Sequence, residues 1–94
     1  MRRIEHTKAF RRDWKRESAG VHGRRRLTAL LEGVVTLLAD DLPLPAANRD
    51  HQLSGEWIDH RDCHLRPDLV LVYRKPDAAT LQLVRLGSHS ELFG

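Results

Sequence analysis

Four of the six histidines, His51, His60, His64 and His89, fall in the last 44 residues, in company with Asp62, Asp68, Arg61, Arg66 and Arg85. Histidine titrates near neutrality and can give or take a proton, whereas arginine keeps its charge and grips a phosphate through two donors at once. This mixture suits cleavage of RNA. A base removes the proton of a ribose 2′-hydroxyl, an acid protonates the departing 5′-oxygen, and a cation meets the charge growing on phosphorus. The reaction needs neither a metal nor a nucleophilic side chain. Taken singly, each histidine reads as an exposed or structural residue, and it is their joint occurrence that carries the expectation. His6, His22 and His60 read as solvated surface residues.

Other chemistries find less support. His51, His64 and His89 contain no short ligand pair of the kind zinc favours, so neither a metal nor any other cofactor is expected. There is no glycine-rich phosphate loop, nucleophile elbow or cysteine pair. Cys63 is the only cysteine; its place between polar strand neighbours marks it as a small core residue, and its solitude fits a reducing cytoplasm. No membrane span is expected, and the charged stretch from Met1 to Glu17 lacks the apolar segment of an export signal.

The elements that must position these residues are legible in part. Arg2 to His6 permits an edge strand, and Thr7 offers an N-cap oxygen to a helix beginning at Lys8, with Phe10 and Trp14 four apart on its packing face. In a second helix Leu27, Leu30, Leu31, Val34 and Leu38 recur at helical spacing, and Pro43 and Pro45 prevent continuation beyond Asp41. Residues 43–57 read as loop. Three strands follow, Ile58 to Leu65, the apolar Leu69 to Arg74, and Thr80 to Leu86 after a turn at Lys75-Pro76-Asp77. The expected fold is α+β: one domain over residues 1–94, in which an N-terminal strand and a two-helix hairpin pack on a small antiparallel sheet.

Strand parity places His60, Asp62 and His64 on one face and Arg61, Cys63 and Leu65 on the other. Leu81, Leu83 and Arg85 likewise share a face, so Arg85 extends an apolar row. There it either pairs with a carboxylate such as Asp62 or binds phosphate. Charge is also segregated: residues 1–26 hold ten Lys or Arg against three Asp or Glu, and the remainder holds six against ten. The basic half is either a solvated surface or a seat for a polyanion.

Several short motifs occur in order and at fixed spacing: Leu42-Pro43-Leu44-Pro45, Asp50-His51-Gln52-Leu53-Ser54-Gly55, Trp57, Arg61-Asp62-Cys63-His64, Pro67-Asp68, Tyr73, Arg85-Leu86-Gly87-Ser88-His89 and Leu92-Phe93-Gly94. Together they resemble the YafQ group of RelE-type toxins, within the RelE/ParE superfamily of type II toxin-antitoxin systems. The resemblance covers residues 42 to 94. It implies a RelE-like fold and a ribosome-dependent mRNA endonuclease, restrained by an antitoxin of the DinJ or RelB kind, through which alone operator DNA is reached. It also implies a site built from residues matching His51, His64, Asp68, Arg85, His89 and Phe93, with Phe93 contacting a base or shaping the pocket. The group's pattern carries tryptophan after the aspartate, where this chain has Leu69, which bears on base stacking.

On this reading Arg85 binds the scissile phosphate, His89 is the general acid, and His51, His64 or Asp68 supplies or orients the base. Arg61, Lys8 and Arg11 join Phe93 as substrate-binding candidates, the basic helices serving ribosomal RNA and acidic antitoxin segments in turn. Two other readings are open at this point: a ParE-like inhibitor of DNA gyrase, and a ribosomal RNA-binding protein without catalysis.

Overall fold

The structure is a computed structural model and describes residues 1–20 and 23–94. His22, read as a surface residue, lies outside them. The chain runs β1 (Arg3–His6), α1 (Lys8–Ser18), α2 (Arg24–Ala39), β2 (His51–Gln52), β3 (Arg61–Arg66), β4 (Leu69–Arg74), β5 (Thr80–Gly87) and α3 (His89–Phe93), with 3₁₀ turns at Ala46–Asn48 and Gly55–Trp57. The five strands form one sheet in the order β1-β5-β4-β3-β2.

The α+β arrangement is as expected, with three refinements. β1 lies parallel to β5, while the other pairings are antiparallel, so the sheet is mixed. The third strand begins at Arg61, because residues 55–57 coil into a 3₁₀ turn, and His60 therefore precedes the strand. The segment read as loop contributes a two-residue edge strand, and a short C-terminal helix follows β5. That helix rests on a capping box: Ser88 accepts from the Glu91 backbone N–H while the Glu91 carboxylate accepts from that of Ser88.

One face of the sheet is covered by the first two helices. Thr7 caps α1 by accepting from the Phe10 backbone N–H. Phe10, Leu27, Val34 and Leu38 are buried with Leu71, Tyr73, Leu81, Leu83 and Leu86, and Ile4, Trp14, Leu30 and Leu31 pack around them. Each fully buried leucine contributes roughly 1.5–3 kcal/mol. The opposite face is smaller: Val70, Val72 and Leu92, with Leu53, Trp57, Val84 and Phe93 packed against them. β4 is buried on both faces, which explains its unbroken apolar run.

β1 ends opposite Leu83, and side chains of α1 complete the edge of β5 beyond it. Thr7 donates its hydroxyl to the Val84 carbonyl, Asp13 accepts the Leu86 N–H at 2.9 Å, and Arg16 donates to the Leu86 carbonyl at 2.9 Å. The helix thus replaces a strand partner, leaving no orphaned polar groups at Leu86. A Cβ at Gly87 would stand 2.9 Å from Arg16 Nη2, so a larger residue there would have to displace the end of that side chain.

β5 also carries a bulge. Tyr73 faces Leu83 and Val72 faces Arg85, leaving Val84 as the extra residue. Arg85 therefore leaves the row of Leu81 and Leu83, whose core place passes to Leu86, and the expected shared face of Leu81, Leu83 and Arg85 is not formed.

Candidate functional site

The site begins at Asp62, in the middle of β3, where the side chain is almost wholly buried (1% exposed). His51 on β2 is its direct cross-strand partner, and the His51 Nδ1 lies 3.0 Å from Asp62 Oδ1. Burial pushes the Asp62 carboxyl above its ordinary value, and the charges of His51, His64 and His89 oppose that push. Three histidines, from β2, β3 and the start of α3, thus act electrostatically on one carboxylate, His51 in direct contact with it. His64 follows from strand parity with Asp62, and His89 is brought in by the turn from β5 into α3.

Hydrogen bonds orient two of these rings. His51 Nδ1 is 2.9 Å from the Arg49 carbonyl, and His64 Nδ1 is 3.3 Å from the Pro67 carbonyl. A carbonyl only accepts, so in both rings Nδ1 is the donor and Nε2 is left for another partner. His89 opens α3, and its ring lies 5.0 Å from that of Phe93, which in turn meets Trp57 edge-on at 5.8 Å. Phe93 and Trp57 form an aromatic wall beside His89. His60, read as a surface residue, is half-buried edge-on against Trp57 at 5.1 Å, and burial lowers its pKa.

Arg85 has a partner, and it is not Asp62. Its Nε donates to Asp13 Oδ2 at 2.7 Å and its Nη2 to Asp13 Oδ1 at 3.3 Å, while Arg16 Nη1 also donates to Asp13 at 3.0 Å. Burial alone would raise the Asp13 carboxyl; hydrogen bonds from Arg85 and Leu86 and the charges of Arg85 and Arg16 outweigh it and hold the group below the usual range. Of five guanidinium N–H donors, Arg85 spends two on Asp13 and keeps three, in a side chain that is 22% exposed.

The remaining candidates lie further out. Asp68 is exposed at the Pro67-Asp68 turn between β3 and β4, next to the carbonyl that holds His64. Arg61 pairs with Asp50 at 3.2 Å, and the same Asp50 oxygen accepts the Tyr73 hydroxyl at 2.5 Å. Lys8 and Arg11 are exposed on α1, and Arg11 lines grooves with Arg12, Lys15 and Arg24 and with His6, Phe10 and Trp14, neither of which includes His51, His64 or His89. Cys63 is fully buried and its thiol is pushed up by burial, which suits the core residue expected.

The family model for YafQ, a bacterial toxin of type II toxin-antitoxin systems, matches residues 2–94. The chain belongs to the YafQ family. The mRNA interferase toxin YafQ of Escherichia coli (strain B / BL21-DE3) is 36% identical over 93 residues, spanning 99% of this chain and 97% of that protein. Among solved structures, a metal-bound toxin from Helicobacter pylori superposes with a TM-score of 0.86 at 47% identity, covering 99% of this chain and all (100%) of the other. YafQ in the E. coli DinJ–YafQ complex superposes with a TM-score of 0.83 at 36% identity, each chain covered to 100%. The YafQ likeness thus extends over the N-terminal helices, beyond the segment whose motifs carried the resemblance. Among the described residues of this chain, no three His, Cys, Asp or Glu side chains are placed to hold a metal ion.

Within this YafQ fold, sequence reasoning named Asp62 beside His64 without giving it a role in the site, and it missed Asp13. Asp62 was legible as the strand partner in parity with His64. No local signal marked Asp13, which meets Arg85 across 72 positions of chain.

Asp62 also yields a prediction for stability. Its folded pKa lies above the ordinary 3.8, so the folded state holds this proton more tightly and loses stability as pH rises from that value through the folded pKa. Asp62→Asn removes the buried charge and is expected to stabilise the fold at pH 7 by about 1 kcal/mol, or roughly 4–8 °C in Tm, an advantage that vanishes below the unfolded pKa of 3.8. Thermal melts across pH check this, and an unchanged or lowered Tm at pH 7 contradicts it.

Proposed function

We propose that this chain is an mRNA interferase that cuts messenger RNA on the ribosome by metal-independent acid–base catalysis, acts in the cytoplasm, and is held inactive by an antitoxin of the DinJ kind. The observation that carries the reading is the convergence of His51, His64 and His89 on buried Asp62, together with an arginine, Arg85, that has donors to spare. A gyrase inhibitor or a simple RNA-binding protein has no need of such a set.

In the proposed reaction the 2′-oxygen attacks phosphorus as its proton passes to the free Nε2 of His51 or His64, with Asp68 orienting the base. The P–O5′ bond breaks, and His89 gives the 5′-oxygen a proton. Arg85 meets the developing charge on the phosphate with the N–H groups that Asp13 leaves unused. Asp62 supplies a fixed counter-charge while the histidines exchange protons. Phe93, with Trp57 behind it, offers a ring face to a base. Lys8, Arg11 and the basic groove of α1 engage ribosomal RNA, and Arg61 stands near the substrate path through its tie to Asp50.

The products test the proposal. RNA cut in this way ends in a 2′,3′-cyclic phosphate on one fragment and a 5′-hydroxyl on the other, and end-group mapping on translated mRNA is expected to find both. Intact mRNA with arrested translation, stalled gyrase–DNA complexes, or 5′-phosphate ends would each refute it.

A further inference from the structure

Beside the histidine cluster, and sharing only His64 with it, lies a cleft of about 460 Å³ whose walls include Asn48, Arg49, Arg66 and Pro67. Its construction sets it apart from the rest of the surface. Arg49 stands in the left-handed backbone region, with φ 48° and ψ 45°, a conformation that a side chain with a Cβ adopts only where its surroundings enforce it. The enforcement is visible: the Arg49 N–H donates to the Ala46 carbonyl and the Arg49 carbonyl receives His51 Nδ1. Arg66 follows a second bulge, between His64 and Arg66, and its Nε is buried with no hydrogen-bond partner among the described residues. Asn48 fastens the wall by donating to the His64 carbonyl at 2.7 Å.

Neither guanidinium is ion-paired among the described residues, although Asp50 and Asp68 are close in sequence. Asp50 is taken by Arg61 and Tyr73, and Asp68 sits at the exposed turn. Two cations directed at one cleft, one with a buried donor left unsatisfied, are an unfavourable arrangement that a bound phosphate would relieve. We infer that this cleft is a phosphate subsite that holds the mRNA phosphodiester adjacent to the scissile one, on the His64 side. The inference rests on the proposal that the chain cleaves mRNA, and it adds a second anchor separate from Arg85. Such an anchor fixes the strand's register against the histidines, because two held phosphates define a direction along the backbone.

The test couples the protein to its substrate. Arg49→Gln, Arg66→Gln and the double variant are assayed on programmed ribosomes carrying mRNA with a neutral methylphosphonate at single linkages around the cut. The double variant is expected to lower kcat/KM about tenfold on unmodified mRNA. A methylphosphonate at one linkage beside the cut should cost the wild type as much and the double variant little. The salt dependence of binding should fall by about 0.7 in log–log slope for each phosphate that the variant no longer neutralises. Arg66→Lys, which retains the charge, should recover part of the loss, and Arg49→Gln alone, at an exposed position, guards against a folding defect. If the wild type cuts and the variants cut equally well, the subsite is refuted while the nuclease reading stands. A loss that is the same at every methylphosphonate position also refutes it, since the phosphate would then belong to ribosomal RNA. If the wild type cuts no mRNA at all, the nuclease reading fails and takes the subsite with it.

Discussion

Replacing His89 by alanine is expected to slow mRNA cleavage on the ribosome by about 10²–10⁴-fold, the range for loss of a positioned general acid, while ribosome binding persists. The proposed binding surface and this residue are separate. His89 opens α3 beside the Asp62 cluster, whereas the basic groove is built on α1 and the start of α2. The substitution should leave the fold intact, since the helix is held by Ser88 and Glu91 rather than by the imidazole. Primer extension on translated mRNA, paired with ribosome sedimentation, provides both readouts. Cleavage at the wild-type rate would remove His89 from the chemistry, and loss of ribosome binding would show that it serves docking.

Asp13→Ala is expected to destabilise the fold by about 3–5 kcal/mol, a large share of the stability of a domain of this size. Asp13 is fully buried (0% exposed) and is the acceptor for Arg85, Arg16 and the Leu86 N–H. Alanine leaves a buried amide unsatisfied and the Arg85 guanidinium without its counter-charge, while Arg16 keeps Glu17 and Glu91. The wild type should show the matching pH dependence. Because the folded pKa of Asp13 is depressed, its contribution is present above the ordinary 3.8 and is lost as pH falls through the lowered value. Urea titration of wild type and variant at pH 7 measures the difference, and a change below about 1 kcal/mol would contradict the role given to Asp13.

Elements whose pattern is local were legible in the sequence. The cap at Thr7, the leucine spacing of α2 and the apolar run of β4 each rest on neighbours within a few residues. His51, His64, Arg85 and His89 were nameable from residue chemistry, and Phe93 through the family resemblance. Their arrangement was less accessible. His51 reaches Asp62 only because two residues of a presumed loop pair as a strand, and Arg85 reaches Asp13 only because a helix stands where the edge of the sheet would otherwise be open. Strict alternation along β5 misplaced Arg85, since a bulge depends on the partner strand and leaves no mark in composition.

That bulge gives β5 a reading frame in space as well as in sequence. Opposite Val72 stands Arg85, and opposite Leu71 stands Leu86, only because Val84 is looped out of the count. Were β5 to pair without a gap, Val84 would take the place opposite Val72 and Arg85 the place opposite Leu71, putting a charge in the leucine layer and a valine where Arg85 now stands. One uncounted valine therefore separates a well-packed strand from a poorly packed one with the same amino acids. Changes to the sheet that never touch Arg85 or Asp13 can part the two by shifting this frame.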